Sequence, residues 1–289
     1  MTTILDVQRF KDEGRRFAML TAYDYLSAQI LDEAGIPILL VGDSLGMVVL
    51  GYPTTLPVTL DEMIHHAKAV SRGSRQALLV GDMPFMSYHA SVEQAITSAG
   101  RFLQDGGMHA VKLEGGGRIV EITRRLTGMG IPVMGHLGLT PQFVHQMGGF
   151  KVQGKSESQS ARILADAKDL EEAGAFSLVL EGVPNAVATR VTRAVRIPTI
   201  GIGAGPGTDG QVLVLHDMLG MTTGKPPKFV KRYANLAEDI GRAARQYAQE
   251  VGAGTFPGPE HSYSANGSGT APKAAPEKEP REEVRYGAG

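Results

Sequence analysis

The sequence predicts a (β/α)₈ barrel, and three observations carry that expectation. Short apolar runs alternate with amphipathic segments along the body of the chain. Eight such runs fall within ~250 residues, the usual span of this fold. Polar residues recur where the apolar runs end, as they do where strand ends share one catalytic face. The candidate strands occupy 17–21, 38–42, 77–81, 110–113, 132–135, 177–180, 199–202 and 212–215. Candidate helices at 25–34, 60–71, 91–104, 118–127, 158–173 and 185–195 lie between most of them. Strand followed by helix, repeated, argues for a parallel sheet with helices outside it.

Taken in order, the first strand, FAMLT, is followed by no glycine fingerprint, which counts against dinucleotide binding. The second, ILLVG, is apolar throughout, as a strand buried on both faces is, and runs into Asp43 and Ser44. The loop 47–57 that follows is longer than the ~2–6 residues usual for a strand-to-helix connection, and is expected to line or cover a site. LLVGD recurs at 78–82 and ends in Asp82. In AVKLE, Lys112 and Glu114 are two apart and share one strand face, with Val111 and Leu113 on the other. PVMGHLG puts His136 after the fifth run, and SLVLEGVP puts Glu181 after the sixth. GIGAGPG at 201–207 reads as a tight loop at the barrel mouth, since no helix opens directly from it. Helix periodicity returns at 233–249, with Leu236, Ile240, Ala243 and Ala244 on one face, as a closing helix. A doubly wound open sheet is the alternative architecture. From Thr255 the composition turns to Pro, Gly, Ser and charge, so the expected organisation is a barrel over 1–254 and a disordered tail over 255–289.

Composition narrows the function. Of 289 residues, 29 are basic and 30 acidic, for a net charge of -1, which gives no footprint for nucleic acid or an anionic membrane. The absence of cysteine excludes disulfides, thiolate metal sites and a cysteine nucleophile. No basic segment followed by an apolar core opens the chain, and no apolar stretch approaches the ~18 residues of a membrane span. A cytoplasmic location is the expectation.

Strand ends of a (β/α)₈ barrel point to one face, so Asp43, Asp82, Lys112, Glu114, His136 and Glu181 are directed to one mouth. Each has a plainer reading. Asp43 and Asp82 could cap helices, and taken alone Asp43 reads as a cap. Lys112 could be a solvated edge residue, His136 a satisfied core histidine, and Glu181 the cap of the 185–195 helix. As a set they suit a different task. Two aspartates and a glutamate make an oxygen-donor site of the kind magnesium prefers. A lysine beside them balances a substrate anion, and a separate glutamate can act as a base. That combination fits the enolisation of a keto acid.

VGDSLGMVVLGY, TTLPVTLDEM, GDMPFMSY, VKLEGG, GHLGLTPQ, LVLEGVP, TIGIGAG and DGQVLVLHDMLG occur in this order. Together they resemble the ketopantoate hydroxymethyltransferase (3-methyl-2-oxobutanoate hydroxymethyltransferase) family over roughly residues 3–250. The resemblance implies a (β/α)₈ barrel, a Mg²⁺ ion, and a homo-oligomer, usually a decamer. It implies transfer of a hydroxymethyl group from 5,10-methylenetetrahydrofolate to 3-methyl-2-oxobutanoate through a magnesium-stabilised enolate, giving 2-dehydropantoate, the first step of pantothenate biosynthesis. Carried over by motif, Asp43, Asp82 and Glu114 match the metal acids. Asp43, Ser44, Asp82 and Lys112 match substrate contacts, His136 a pocket residue, and Glu181 the proton acceptor. Pro53 and Thr208 depart from the family pattern, at positions where a polar residue and a cysteine are expected. Two readings compete: a magnesium-dependent carbon–carbon lyase on the same barrel, and a non-catalytic scaffold with the tail as binding arm.

Overall fold

A computed structural model of the chain describes residues 1–263 apart from 223 and 225. Eight parallel strands close into a barrel in sequence order. They are β1 (Phe17–Thr21), β2 (Ile38–Val41), β3 (Leu78–Asp82), β4 (Ala110–Glu114), β5 (Val133–Gly138), β6 (Ser177–Glu181), β7 (Thr199–Ile202) and β8 (Gly210–Leu213). Every expected strand forms, with ends moved by a few residues, and the open-sheet alternative is excluded by the pairing of β8 with β1.

The alternation of side chains along each strand separates two cores. Inward positions such as Met19, Ile38, Leu40, Leu78, Val80, Ala110, Met134, Val179 and Val212 fill the barrel. Outward positions such as Leu39, Leu79, Val111 and Leu113 pack under the surrounding helices, and Leu178 and Leu180 do the same on the far side. A helix not foreseen from the sequence, α1 (Ile4–Asp12), adds Val7 and Phe10 to the interior cluster. Its Phe10 ring lies 5.4 Å from that of Phe17, at the amino end of β1. Thr3 and Asp6 start α1 by satisfying each other's backbone N–H groups, a capping box.

The outer helices are α2 (Tyr25–Glu33), α4 (Leu60–Gly73), α5 (Val92–Gln104), α6 (Arg118–Gly128), α8 (Glu157–Glu172) and α9 (Asn185–Ala194), with one-turn helices α3 (Leu45–Val48), α7 (Val144–Met147) and α10 (Leu215–Met218) in the loops. Asp24, Thr59, Ser91 and Ser156 cap α2, α4, α5 and α8 through their side chains, each cap contributing ~1 kcal/mol. Gly81 of the second VGD lets α5 lie directly on β3, because a Cβ there would collide with the Phe102 ring.

The residues divide into two compact units, Met1–Asn235 and Leu236–Gly289. The first holds all eight strands. The second begins within the expected barrel span 1–254, with α11 (Leu236–Gly252). This helix overlaps the span 233–249 where helix periodicity places one, and none of its residues is buried. Of the expected tail, residues 264–289 lie outside the described residues, and Pro259–His261 form a 3₁₀ turn. Among the described residues, no helix is long and apolar enough to cross a membrane.

Candidate active site

The inward parity that makes the lower barrel apolar turns polar at the carboxyl ends of the strands. Leu78 and Val80 lead to Asp82, Ala110 to Lys112 and Glu114, Met134 to His136, and Val179 to Glu181. Register then pairs them. Asp82 stands opposite Lys112, and Glu114 opposite His136. Asp43, Ser44, Asp82, Lys112, Glu114, His136 and Glu181 all line one cavity of about 830 Å³ at this mouth. The structure therefore brings together every site residue named from the sequence, and Met47 and Thr55 of the loop 47–57 line the same cavity.

The contacts are short and mostly buried. Lys112 Nζ lies 2.7 Å from Asp82 Oδ1, 3.8 Å from Glu114 Oε1 and 3.3 Å from His136 Nδ1. His136 bridges two acids, with Nδ1 3.4 Å from Glu114 Oε1 and Nε2 3.3 Å from Glu181 Oε2. Both are ion-pair contacts rather than aligned hydrogen bonds. The Asp43 N–H donates to Asp82 Oδ2 at 3.2 Å. Ser44 Oγ is 2.8 Å from the Tyr23 hydroxyl. Neither aspartate caps a helix. Ser44 holds the N-cap position of α3, and Ser91 caps the helix that follows Asp82. Glu181 does not cap α9, whose N-cap position is Pro184.

Burial and crowding set the charges. Burial first, then the charges of Asp82 and Glu114, raise the Asp43 carboxyl well above its usual range. Burial also raises Asp82, against the opposing pull of Lys112. Burial would lower Lys112, but Asp82, Glu114 and Asp43 hold it above its ordinary value, so it stays an ammonium. Glu114 is kept below its usual value, because His136, Lys112 and the Gln142 N–H outweigh the cost of burial. For His136, burial and Lys112 push down, and Glu114 and Glu181 push up more, to about 9.

The last value carries a prediction. A histidine raised from 6.5 in the unfolded chain to about 9 in the fold contributes stability that is complete below pH 6.5 and lost as pH climbs through 9. His136→Gln is expected to flatten that decline. The contribution is on the order of a few kcal/mol. Urea denaturation of both proteins at pH 6 and pH 9.5 measures it, and parallel pH profiles would rule it out.

The donor set suits a hard cation in part. Asp43 and Asp82 are adjacent buried carboxylates, the charge of Asp82 helps raise the Asp43 carboxyl, and Asp82 Oδ1 meets the Lys112 ammonium at 2.7 Å. Magnesium is commonly held by one or two carboxylates, with substrate oxygens and water completing the shell. Glu114 is differently placed. Its Oε2 accepts the Gln142 N–H at 3.0 Å, and Oε1 faces His136 and Lys112. Among the described residues, no three His, Asp or Glu side chains are gathered as a metal cage.

Some participants escaped the sequence reading. Gln142 and Tyr88 join the carboxylate network, although each ends a quoted motif, GHLGLTPQ and GDMPFMSY. A polar residue in a loop gives no periodic signal. Thr208, one of the two departures, is self-contained: its hydroxyl donates to Gly210 O at 2.8 Å and accepts from Gln211 at 2.9 Å. Pro53, the other, is exposed in the loop after α3.

The family described as ketopantoate hydroxymethyltransferase matches residues 1–259. A 3-methyl-2-oxobutanoate hydroxymethyltransferase of Syntrophus aciditrophicus (strain SB) is 60% identical over 89% of this chain and 94% of its own length. The protein of that name from Carboxydothermus hydrogenoformans is 57% identical over 91% and 95%. Among solved structures, a phosphonopyruvate hydrolase superposes with a TM-score of 0.60 at 12% identity, covering 88% of each chain. A 2,3-dimethylmalate lyase superposes at 0.57 and 18% identity, covering 92% of each. These two likenesses speak to the barrel fold alone.

Proposed function

The chain belongs to the ketopantoate hydroxymethyltransferase family of enzymes, and we propose that its barrel mouth transfers a hydroxymethyl group from 5,10-methylenetetrahydrofolate to 3-methyl-2-oxobutanoate, giving 2-dehydropantoate. The observation that supports this most is the layer of charge set by strand register. A buried ammonium, an acid pair and a more open glutamate face one cavity.

Asp43 and Asp82 would hold Mg²⁺. When bound, the ion would chelate the keto acid, polarise its carbonyl and stabilise the enolate. Lys112 supplies positive charge for the substrate carboxylate, and Ser44, steadied by Tyr23, a hydrogen bond to it. Glu181 is the acid best placed as base. Its side chain keeps 17% exposure and reaches His136, whereas the aspartates are committed below it. It takes the proton from the branched carbon. That carbon bonds to the methylene carbon of the folate as one of its two C–N bonds breaks; water then replaces the second nitrogen, leaving its hydroxyl group on the carbon, and tetrahydrofolate departs with both nitrogens protonated.

The cavity is much larger than a five-carbon acid needs. Its rim carries Phe150, Val152 and Phe229, with Lys151 and Lys228 beside them, which suits an aromatic cosubstrate with an anionic tail. Gly203 seats the Phe229 ring: its φ is +61°, and a Cβ there would lie 2.8 Å from the ring. A cytoplasmic homodecamer is part of the same reading and rests on family resemblance.

The test is hydrogen exchange. In deuterated buffer, the protein with 3-methyl-2-oxobutanoate and Mg²⁺ is expected to exchange the proton on the branched carbon without folate. It is expected to form 2-dehydropantoate only when 5,10-methylenetetrahydrofolate is added. NMR follows both. Exchange that ignores chelation of Mg²⁺ would remove the ion from the reading, and cleavage of a larger acid without folate would favour a lyase.

A further inference from the structure

We infer that Gln142 is a positioning residue that sets the spacing of the acids at the mouth, with Tyr88 fixing the orientation of its amide. The inference rests on the proposed reading that Asp43 and Asp82 hold a divalent cation.

Gln142 lies in the 3₁₀ turn Pro141–Phe143 after β5, and is buried. It reaches two acids from two different strands. Its side-chain Nε2 donates to Asp43 Oδ2 at 2.9 Å, and its backbone N–H donates to Glu114 Oε2 at 3.0 Å. The second hydrogen of Nε2 goes to the Met83 carbonyl at 2.9 Å. Oε1 accepts from the Tyr88 hydroxyl at 2.7 Å, and the Tyr88 oxygen accepts the Glu114 N–H at 3.2 Å. The network forms a closed loop from Glu114 through Tyr88 and Gln142 back to Glu114.

The amide has one workable orientation. Met83 O can only accept, so a flipped amide would set its oxygen against that carbonyl and against Asp43 Oδ2, losing both bonds. A neutral donor is also the right kind of group here. Asp43 and Glu114 already repel, and Gln142 holds one oxygen of each without adding charge. It leaves the other oxygen of Glu114 facing Lys112 and His136. Partners that orient metal ligands commonly contribute 10–100-fold to metal affinity. The turn after β5 thereby registers β2 against β4 at the height where the cation and the keto acid would sit.

The experiment measures Mn²⁺ binding without substrate, by electron paramagnetic resonance of the free ion. The proteins are the full-length chain, Gln142→Glu, Gln142→Met and Tyr88→Phe, each checked for folding by circular dichroism. We expect the Gln142 variants to bind Mn²⁺ ~10–100-fold more weakly. Tyr88→Phe should shift affinity in the same direction by a smaller factor. In Tyr88→Phe, turnover should recover as Mg²⁺ is raised, which a general loss of structure would not allow. If the Gln142 variants fail to fold, Tyr88→Phe decides, since it removes one hydroxyl from an otherwise intact ring. Affinity within twofold of the parent in the folded variants overturns the inference. If the parent itself binds no Mn²⁺, the cation reading of the acids fails, and this inference fails with it for a visibly different reason.

Discussion

Lys112→Met is expected to destabilise the protein by about 3–5 kcal/mol at pH 8, the range for breaking a buried ion pair from one side. It is also expected to cut turnover by more than ~100-fold, as the loss of a charge aimed at a developing anion does. Lys112 is buried with its Nζ 2.7 Å from Asp82 and 3.8 Å from Glu114, so methionine fills the volume but leaves those acids facing each other and Asp43. His136 then remains as a cation in contact with Glu114. The acids respond by taking up protons. Asp43 and Asp82 already stand above their ordinary value, and losing the ammonium raises them further. A carboxyl raised in the folded state binds more protons there than in the unfolded chain, so the variant gains stability as pH falls through the raised value. The deficit relative to the parent should therefore shrink from pH 8 to pH 5. Urea denaturation at the two values measures it. A variant as stable as its parent at pH 8 would show that the acids find their compensation elsewhere.

The strands were legible because a barrel is a periodic object. Eight apolar runs announced eight strands, and period-two alternation in AVKLE announced that Lys112 and Glu114 point inward together. Register did the rest. Once strands lie side by side in sequence order, the pairing of Asp82 with Lys112 and of Glu114 with His136 follows from where each run ends. Three things lay beyond that logic. The α1 helix is short, and its role depends on Phe17 being at the open end of a barrel. That no residue of α11 is buried is a property of its surroundings, which periodicity along the helix does not encode. Gln142 and Tyr88 act through loop geometry, where the hydrogen-bond partner is far away in sequence and no pattern marks it. The same limit explains Glu114. Its strand end and residue type placed it with the aspartates as an oxygen donor, and the distances add that its oxygens also meet Gln142, His136 and Lys112. The lyase alternative was open for a related reason, since a (β/α)₈ barrel serves both chemistries. High identity to hydroxymethyltransferases weighs against it.

Glu181→Gln is expected to reduce turnover by ~10²–10⁴-fold, the usual contribution of a positioned base, while substrate affinity changes little. The amide has nearly the shape of the carboxylate and can still lie against His136, but it cannot accept the proton from the branched carbon. The sharper measurement is the exchange of that proton in deuterated buffer, which isolates the step from folate binding and product release. It should fall with turnover in the variant. Retained exchange would point to another base, and the cavity contains one further carboxylate to ask. Asp217 lines it from α10, where its Oδ1 accepts from Thr222 at 2.9 Å. The other acids are poorer candidates on physical grounds. Asp82 and Glu114 are buried against Lys112, and Asp43 is tied to Gln142 and sits among like charges that hold on to a proton rather than a vacancy for one. Glu181 differs because its strand carries it one step higher, opposite Gly138, where β6 meets the open mouth. If exchange survives Glu181→Gln but disappears in Asp217→Asn, the base would lie on the β8 side of the mouth, and the substrate would have to present its branched carbon to that side instead.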